Sequence, residues 1–429
     1  MLSDYDEGLP RLAFIFFAAS VISLITLSTD VLALFGYRYG DPYANFIFKF
    51  HPQVYFICIC FLMVCMKQGL SGLKNILLAK NIFWSLVICI LCFLYVTIIL
   101  KKPLTTIITT WLCPMFLLAL YLHCSNSQKQ FLYKICIYII IVNALLGVYE
   151  YVFSHHVIPK NYFSAVDGEL LDLSEWDFYR SVALYGHPLT ATLISGLVVI
   201  GLSAKARTTN LCKLDRIALM VSWVSLPAFG GRTAIAVTVM LVFIMMLSNI
   251  SNVIKQGVSH KKMILFLVGL FVTPLIILLA FDFGLFDKLI DRLNDDNGSA
   301  ATRLVALQIF FDTPVLSLLL GDFSNELFNR QISFGTSYGI EVFWLAIILS
   351  WGFIVSIPLF FVLFYSFRIL ILNVGGHVFW VNLGFALILS SGVGLSVKSL
   401  LFSQFMTIVL FVLNGGNVST KRLKNATDI

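Results

Sequence analysis

The chain contains a series of apolar segments, each about as long as a membrane is thick, and this pattern limits the possible folds most strongly. A transmembrane helix needs about 20 mainly apolar residues. Segments that approach or meet this requirement lie at residues 12–36, 48–66, 82–100, 104–123, 131–153, 187–204, 215–229, 233–250, 263–281, 341–367, 377–395 and 399–414. They predict an all-α polytopic membrane protein of about twelve transmembrane helices, with residues 1–429 in a single integral membrane domain.

The composition excludes several classes of soluble protein. Hydrophobic residues make up 59% of the chain and charged residues only 12%, whereas soluble proteins carry about 25% charged residues. A soluble monomer cannot bury so many apolar side chains. We therefore exclude a water-soluble enzyme, a disordered protein and a nucleic-acid-binding domain, and we expect no nucleic-acid partner. The first apolar run lacks a small-residue cleavage site after a short core, which indicates a retained helix rather than a signal peptide.

The distribution of Lys and Arg predicts the orientation of the chain in the membrane. Cytoplasmic loops of membrane proteins carry an excess of these residues. If both termini are cytoplasmic, the inner segments hold most of the Lys and Arg residues and few of the Asp and Glu residues. Lys101 and Lys102, in a tight outer turn, are exceptions. We therefore predict that both termini are cytoplasmic.

Two outer segments are long enough to fold, residues 154–186 and residues 282–340. In the second, Ser299 is placed to cap a helix through residues 302–312, and Pro314 is placed to end it. We interpret both segments as periplasmic loops. The larger is predicted to be partly helical and to fold over the outer mouth of the bundle.

Three arginines lie on the outer side, against the general trend of basic residues. They are Arg180, Arg232 and Arg303. A guanidinium group is always charged and binds phosphate oxygens through paired hydrogen bonds, so the three together predict an anion site of the kind that pyrophosphate needs. Arg232 follows two glycines, which would let the backbone lie close to a bound group. The alternative is that each arginine is interfacial, extending to water or pairing with a loop carboxylate.

Glu341 and His187 are the other candidate site residues. Glu341 begins a long apolar run directly after the larger outer segment, where a carboxylate fits a general base. The alternative is an acid that only complements the helix dipole. His187 precedes Pro188 at a helix start, and it either contacts a phosphate or sugar or has a structural role.

Other ionisable groups receive no catalytic role from the sequence. Asp30 and Glu150 lie near outer helix ends and are candidate cavity carboxylates without an assigned function. No set of His, Cys and acidic residues has the spacing of metal ligands. We therefore expect no metal and no cofactor, and we interpret the cysteines as small apolar side chains of a membrane protein, without a disulfide framework.

Short motifs in the second half of the chain resemble those of a known family. They are Arg180 to Ala191, Gly231-Arg232-Thr233-Ala234, Thr302-Arg303 followed by Asp312-Thr313-Pro314 and Gly321, and Trp351-Gly352 in the long helix after the larger outer segment. They are similar to motifs of the bacterial O-antigen polymerase and ligase superfamily, the Wzy and WaaL type of integral membrane glycosyltransferase. The resemblance implies a helical bundle with a periplasmic lid, in the bacterial inner membrane.

The resemblance also implies a reaction. An undecaprenyl-pyrophosphate-linked glycan is the donor and a second lipid-linked repeat unit is the acceptor, so membrane lipid is a partner and a chain-length regulator protein is a possible one. The glycan moves en bloc to the acceptor, which extends an O-antigen or exopolysaccharide. Arg232 and Arg303 would stabilise the pyrophosphate and Glu341 would act on the attacking hydroxyl, so these three are the expected catalytic residues. Arg180 and His187 are the expected substrate-binding residues.

Three alternatives remain. Ligases of this family, which transfer the glycan to lipid A core, carry a histidine, commonly followed by asparagine, where Glu341-Val342 stands here; this favours a polymerase. A transporter or flippase needs ionisable residues at the membrane midplane and broken helices. A polyprenyl-phosphate-sugar glycosyltransferase needs an acidic pair in the first outer loop, and residues 36–51 offer Asp41 alone.

Overall fold

In the part of the chain that the structure describes, the protein is a bundle of helices with one very small antiparallel pair of strands. The computed structural model describes residues 8–39, 45–78, 82–159, 161–163, 170–172, 180–256, 299–323, 326–334, 340, 342–390, 392 and 394–414. The helices are α1 (Arg11–Thr26), α2 (Thr29–Leu34), α3 (Pro52–Leu77), α4 (Ile82–Ile99), α5 (Leu104–Leu122), α6 (Asn126–Phe153), α7 (Pro188–Ala206), α8 (Lys213–Phe229), α9 (Arg232–Gln256), α10 (Ser299–Phe311), α11 (Val315–Leu320), α12 (Glu326–Ser333), α13 (Phe343–Val374), α14 (Val378–Leu389) and α15 (Leu401–Leu413). Strands β1 (Asn161–Phe163) and β2 (Leu170–Asp172) pair antiparallel.

Six helices among the described residues are long and apolar enough to cross a membrane. They are α3, α4, α5, α6, α7 and α13. Helices α1, α14 and α15 and the first part of α9 are apolar but shorter. The structure therefore confirms a helical chain with several helices able to span a membrane. The apolar segment at 263–281 lies outside the described residues, and the total of about twelve spans and their orientation stay predictions.

The first predicted segment, residues 12–36, is divided into two helices. Helix α1 ends at Thr26, and the Ser28 side chain accepts a hydrogen bond from the backbone N–H of Val31 at 3.4 Å, which caps α2. A serine in this position satisfies a backbone donor that a continuous helix would bond internally. The apolar pattern runs through the break, so hydrophobicity alone does not reveal it.

Helix α7 lies at the centre of the bundle, and almost all of its side chains from Ala191 to Leu202 are buried. Small residues allow its neighbours to lie close. A Cβ atom on Gly196 would lie 2.6 Å from Thr238 Oγ1, and one on Gly201 would lie 2.8 Å from a methyl carbon of Leu413. Small residues at helix contacts are typical of membrane bundles, where close backbone packing replaces the hydrophobic effect.

Helix α6 holds the chain that returns from the outer segment 154–186. The buried carboxylate of Glu150 accepts hydrogen bonds from the backbone N–H groups of Val182, at 2.8 Å, and Ala183, at 2.9 Å. Asn143 Oδ1 accepts a third from Leu184 N at 3.0 Å. These bonds fix the backbone directly before α7, since buried backbone donors need partners.

Helix α11 packs against α13 through two glycines. Gly352 has a positive φ of 72°, and a Cβ atom on it would lie 2.6 Å from the backbone oxygen of Leu319. A Cβ atom on Gly321 would lie 2.8 Å from the backbone carbonyl carbon of Trp351. The backbone after α11 therefore contacts the backbone of α13 directly. This contact gives a packing role to three residues of the motifs noted above, Gly321, Trp351 and Gly352.

A salt bridge and a hydrogen bond strengthen the same contact. Lys102 Nζ lies 3.2 Å from Asp322 Oδ2, and Tyr95 Oη donates to the carbonyl of Leu320 at 2.9 Å. Lys102 was one exception to the charge distribution that predicts orientation. The structure explains its place, since it pairs with an acidic residue of the larger outer segment.

The opposite end of α7 carries a buried ion pair. Lys205 Nζ lies 3.1 Å from Asp215 Oδ2, and both side chains are almost completely buried. Tyr133 Oη donates to the other carboxylate oxygen at 2.8 Å. Lys205 lies in the last turn of α7 and Asp215 in the first turn of α8, so each charge also complements its helix dipole.

The glycine contact predicts a stability effect. Replacing Gly352 by Ala places a methyl group against backbone atoms that cannot move aside, at a φ that L-residues rarely adopt. We expect G352A to lower the free energy of unfolding by about 2 kcal/mol or more, measured by thermal unfolding in detergent. The control is G376A, because a Cβ on Gly376 meets nothing within 4 Å. Equal unfolding temperatures for the two variants would contradict the contact.

Candidate functional site

Two adjoining cavities lie where α2, α7, α8, α9, α14 and α15 begin or end. The first, here called the arginine cavity, has a volume of about 350 Å³ and is lined by Arg180, His187, Arg232 and Arg303 among other residues. Of these four site residues predicted from sequence, Arg180 and His187 belong to the stretch before α7, Arg232 begins α9 and Arg303 belongs to α10. The fifth, Glu341, lies outside the described residues.

Arg180 is half-buried and faces the charge of another arginine. Burial first, and the positive charge of Arg232 second, lower the pKa of Arg180 from its ordinary value. The chain that follows Arg180 is held by Glu150 through Val182 and Ala183. The two guanidinium groups therefore repel each other across a cavity whose wall is fixed, and an anion between them would relieve that repulsion.

The position of Arg232 depends on the two glycines before it. Gly230, at a positive φ of 68°, ends α8. Gly231 N–H donates to Thr192 Oγ1 at 3.0 Å, and Thr192 itself donates to the carbonyl of Pro188 at 2.8 Å. A Cβ atom on Gly231 would lie 2.7 Å from Thr192 Oγ1. The sequence suggested that this turn approaches a bound group; both glycines line the cavity, but the close contact of Gly231 is with α7.

Arg303 belongs to α10, which confirms the helix predicted in the larger outer segment. Helix α10 ends at Phe311, and Pro314 lies three residues later, directly before α11. The helix therefore ends before Pro314, as predicted. Ala306 and Ile309 are buried in an apolar cluster with Leu345 and other residues near the start of α13. This packing holds α10 against the bundle and brings Arg303 to the arginine cavity.

His187 has the structural role considered for it, and its contact with a phosphate or sugar stays a prediction. Its Nδ1 atom accepts a hydrogen bond from the backbone N–H of Leu189 at 3.2 Å, which caps α7, and Pro188 occupies the first helical position. In the neutral ring the proton is therefore on Nε2. The side chain is exposed, and it lines both cavities.

The described lining of the arginine cavity is rich in basic side chains. Among the described residues that line it, three are arginines and none is an aspartate or glutamate. Each arginine offers several hydrogen-bond donors in a fixed planar arrangement. Such a set suits an anion with several oxygens and more than one negative charge.

The second cavity, here called the polar cavity, has a volume of about 360 Å³. Its lining includes Asp30, Tyr39, Lys398 and Gln404, and it shares His187, Thr190 and Leu401 with the arginine cavity. Of the two carboxylates that the sequence left without a role, Asp30 thus lines a cavity, whereas Glu150 binds backbone.

Lys398 and Tyr39 form one unit in the polar cavity. Lys398 Nζ lies 4.1 Å from the centre of the Tyr39 ring and donates to the carbonyl of Lys49 at 3.3 Å. Burial, and then the charge of Lys49, lower the pKa of Lys398 to about 8. Sequence reasoning missed both residues, although a lysine on the predicted outer side was a usable signal.

Gln404 was also missed. It lies in the apolar helix α15, where its Nε2 donates to the carbonyl of Leu24 at 3.2 Å. A polar side chain within an apolar membrane helix is a signal for a cavity or a binding site. Within the described ranges, no group of three or more His, Cys, Asp or Glu residues is placed to hold a metal ion.

Comparison with known proteins adds no assignment to this geometry. No family model matches the chain, and no curated protein matches it. A functional interpretation therefore depends on the residues of the two cavities and on the motif resemblance given above.

The arginine cavity predicts binding of inorganic pyrophosphate to the purified protein in detergent. Loss of one charged hydrogen-bonding group costs about 1.5–3 kcal/mol, so we expect R232Q to weaken this binding roughly 10- to 100-fold. R232K keeps the positive charge but loses the planar set of donors. Its affinity for pyrophosphate should lie between those of the unchanged protein and R232Q.

The matched control is R216Q. Arg216 is exposed at the opposite end of α8, where its Nε donates to the carbonyl of Leu211. Titration calorimetry measures the affinities. Equal affinity of R232Q and R216Q for pyrophosphate would contradict the site.

Proposed function

We propose that the chain is a glycosyltransferase of the bacterial inner membrane that polymerises undecaprenyl-pyrophosphate-linked oligosaccharide repeat units. One observation carries the proposal: Arg180, Arg232 and Arg303 line one cavity, and no described residue of its lining is acidic. Pyrophosphate is the group that such a cavity suits, and here it is both the anchor of the donor and the leaving group. The product is an O-antigen or exopolysaccharide chain.

The arginines would act most strongly as the glycosidic bond breaks. Negative charge then builds up on the pyrophosphate oxygen, and fixed cations placed around it stabilise the transition state more than the ground state. The pKa of Arg180, lowered by burial and then by the charge of Arg232, supports this role, because an anion bound between the two guanidinium groups would offset the unfavourable effect of that charge.

The chemical step is a displacement. The hydroxyl oxygen of the acceptor forms a bond to the anomeric carbon of the donor glycan, and the bond from that carbon to pyrophosphate breaks with its electron pair. The hydroxyl proton passes to a general base, for which Glu341 remains the proposal on sequence grounds. Undecaprenyl pyrophosphate then leaves.

The distribution of buried charges favours a site at the bundle's end over a transport path. Among the described residues, the buried charged side chains are Asp30, Glu150, Lys205, Asp215 and Asp322. The first four lie in the first or last turn of a helix or within four residues of a helix end, and Asp322 follows α11. A transporter is expected to place such groups near the membrane midplane.

The proposal predicts the phenotype of a gene deletion. Without the polymerase, the surface core should carry a single repeat unit, with no ladder of longer chains on a gel. Complementation with R232A, R303A or E341Q should give an amount of polymer at least 100-fold lower than complementation with the unchanged gene. The amount of protein in the membrane should be the same in each case. R216A should restore the ladder.

The other outcomes identify the alternatives. Full-length polymer retained on undecaprenyl pyrophosphate would show a ligase and refute the polymerase. An unchanged glycan profile after deletion would refute both enzymes and favour a transporter. Normal chain lengths in all three variants would refute the assignment of these residues.

A further inference from the structure

The polar cavity contains groups that the pyrophosphate chemistry does not use. Asp30 and Tyr39 come from the region of α2, and Lys398 and Gln404 from the region where α15 begins; together they line one space of about 360 Å³. This volume lies within the range of about 300–1,000 Å³ that is usual for small-molecule sites. It adjoins the arginine cavity along His187, Thr190 and Leu401.

Two side chains of the polar cavity carry a buried oxygen without a hydrogen bond to any residue that the structure describes. They are Tyr39, through Oη, and Gln404, through Oε1. The residues are 6% and 5% exposed, respectively. A buried polar atom without a partner costs about 1–3 kcal/mol, so each of these side chains carries hydrogen-bonding capacity that the described residues leave unused.

The chemistry of the lining differs from that of the arginine cavity. Asp30 contributes one carboxylate and Lys398 one amine, so the charged groups are of opposite sign. Carboxylate and amide oxygens accept hydrogen bonds, and the amine donates them. A neutral ligand with many hydroxyl groups, each both donor and acceptor, matches this set better than an anion does.

The cavity wall is well ordered by its own contacts. The Lys398 amine lies over the face of the Tyr39 ring, and the His51 ring packs against Tyr39 at a centre-to-centre distance of 5.4 Å. A Cβ atom on Gly186 would lie 3.4 Å from Asp30 Oδ2, so the chain before α7 packs next to this carboxylate. A preformed wall reduces the entropy lost on binding.

We propose that the polar cavity binds a saccharide ring of the lipid-linked substrate, beside the pyrophosphate in the arginine cavity. The saccharide character follows from the lining alone, and its place in a transfer reaction rests on the proposed function. Two sources offer such a ring. One is the reducing-end sugar of the donor, next to its pyrophosphate, and the other is the non-reducing-end sugar of the acceptor, which carries the attacking hydroxyl.

The test uses the full-length protein in detergent and sugars taken from the surface glycan of its own host. The probes are the free repeat-unit oligosaccharide and the methyl glycosides of its reducing-end and non-reducing-end sugars. Saturation-transfer NMR detects their binding. We expect the oligosaccharide to bind, and we expect Q404L and D30N each to weaken its binding about tenfold or more. Both variants should keep their affinity for inorganic pyrophosphate within about twofold.

A matched control is available in the same bundle. Gln53 is fully buried in α3, and neither its Nε2 nor its Oε1 bonds to a described residue, but it is not among the residues that line either cavity. Q53L therefore makes the same chemical change at another buried glutamine. It should leave the binding of oligosaccharide and of pyrophosphate unchanged.

The methyl glycosides distinguish the two sources. If the reducing-end methyl glycoside gives a binding signal and Q404L removes that signal, the cavity binds the donor sugar. If the non-reducing-end methyl glycoside does so instead, the cavity binds the acceptor sugar. Both results support a saccharide site. No saccharide signal, or an equal signal in the unchanged protein, Q404L and D30N, would overturn the proposal.

Failure of this inference is separable from failure of the proposed function. If deletion removes the polymer ladder but Q404L and D30N bind the oligosaccharide normally, the polymerase stands and the saccharide site does not. If deletion leaves the ladder unchanged but Q404L and D30N weaken saccharide binding, the saccharide site stands without the polymerase.

Discussion

The hydrogen bonds that Glu150 and Asn143 accept from the returning backbone of the first outer segment support the rest of the site. Buried backbone donors of a non-helical chain must find partners inside the protein. Helix α6 supplies them at Val182, Ala183 and Leu184. The same stretch carries Arg180 at one end and leads to His187 at the other, so fixing it places one wall of both cavities.

Placing two partly buried arginines close together costs folding energy. Arg180 is half-buried near Arg232, and neither burial nor this repulsion stabilises the fold. The bundle offsets the cost elsewhere, through the close helix packing of α7 and the glycine contact between Gly321 and Gly352. Strain of this kind is expected where a site is arranged in advance for an anion.

Much of the fold followed from the sequence. The apolar segments, the helix around Arg303 and its stop at Pro314 were predictable, since each depends on a local pattern of residues. The break at Ser28 was not, because the apolar pattern continues through it. The convergence of Arg180, Arg232 and Arg303 was a hypothesis from their outward position. The partners that fix them, Thr192 and Glu150, follow from contacts between helices distant in sequence.

The polar cavity was not predicted from the sequence. Asp30 was noted without a role, while Tyr39, Lys398 and Gln404 were not noted at all, because each is unremarkable within its own segment. Their common position arises from the packing of α2 and α15 beside the start of α7. Charge and polarity that look incidental along the chain become a site only when the helices assemble.

The central claim is that the three outer arginines bind one pyrophosphate group, and an experimental structure with bound undecaprenyl pyrophosphate tests it most directly. We predict density for both phosphates in the arginine cavity, with oxygens about 2.7–2.9 Å from guanidinium nitrogens of Arg180, Arg232 and Arg303. Density for the pyrophosphate elsewhere on the bundle, with the arginines paired to carboxylates instead, would contradict the account.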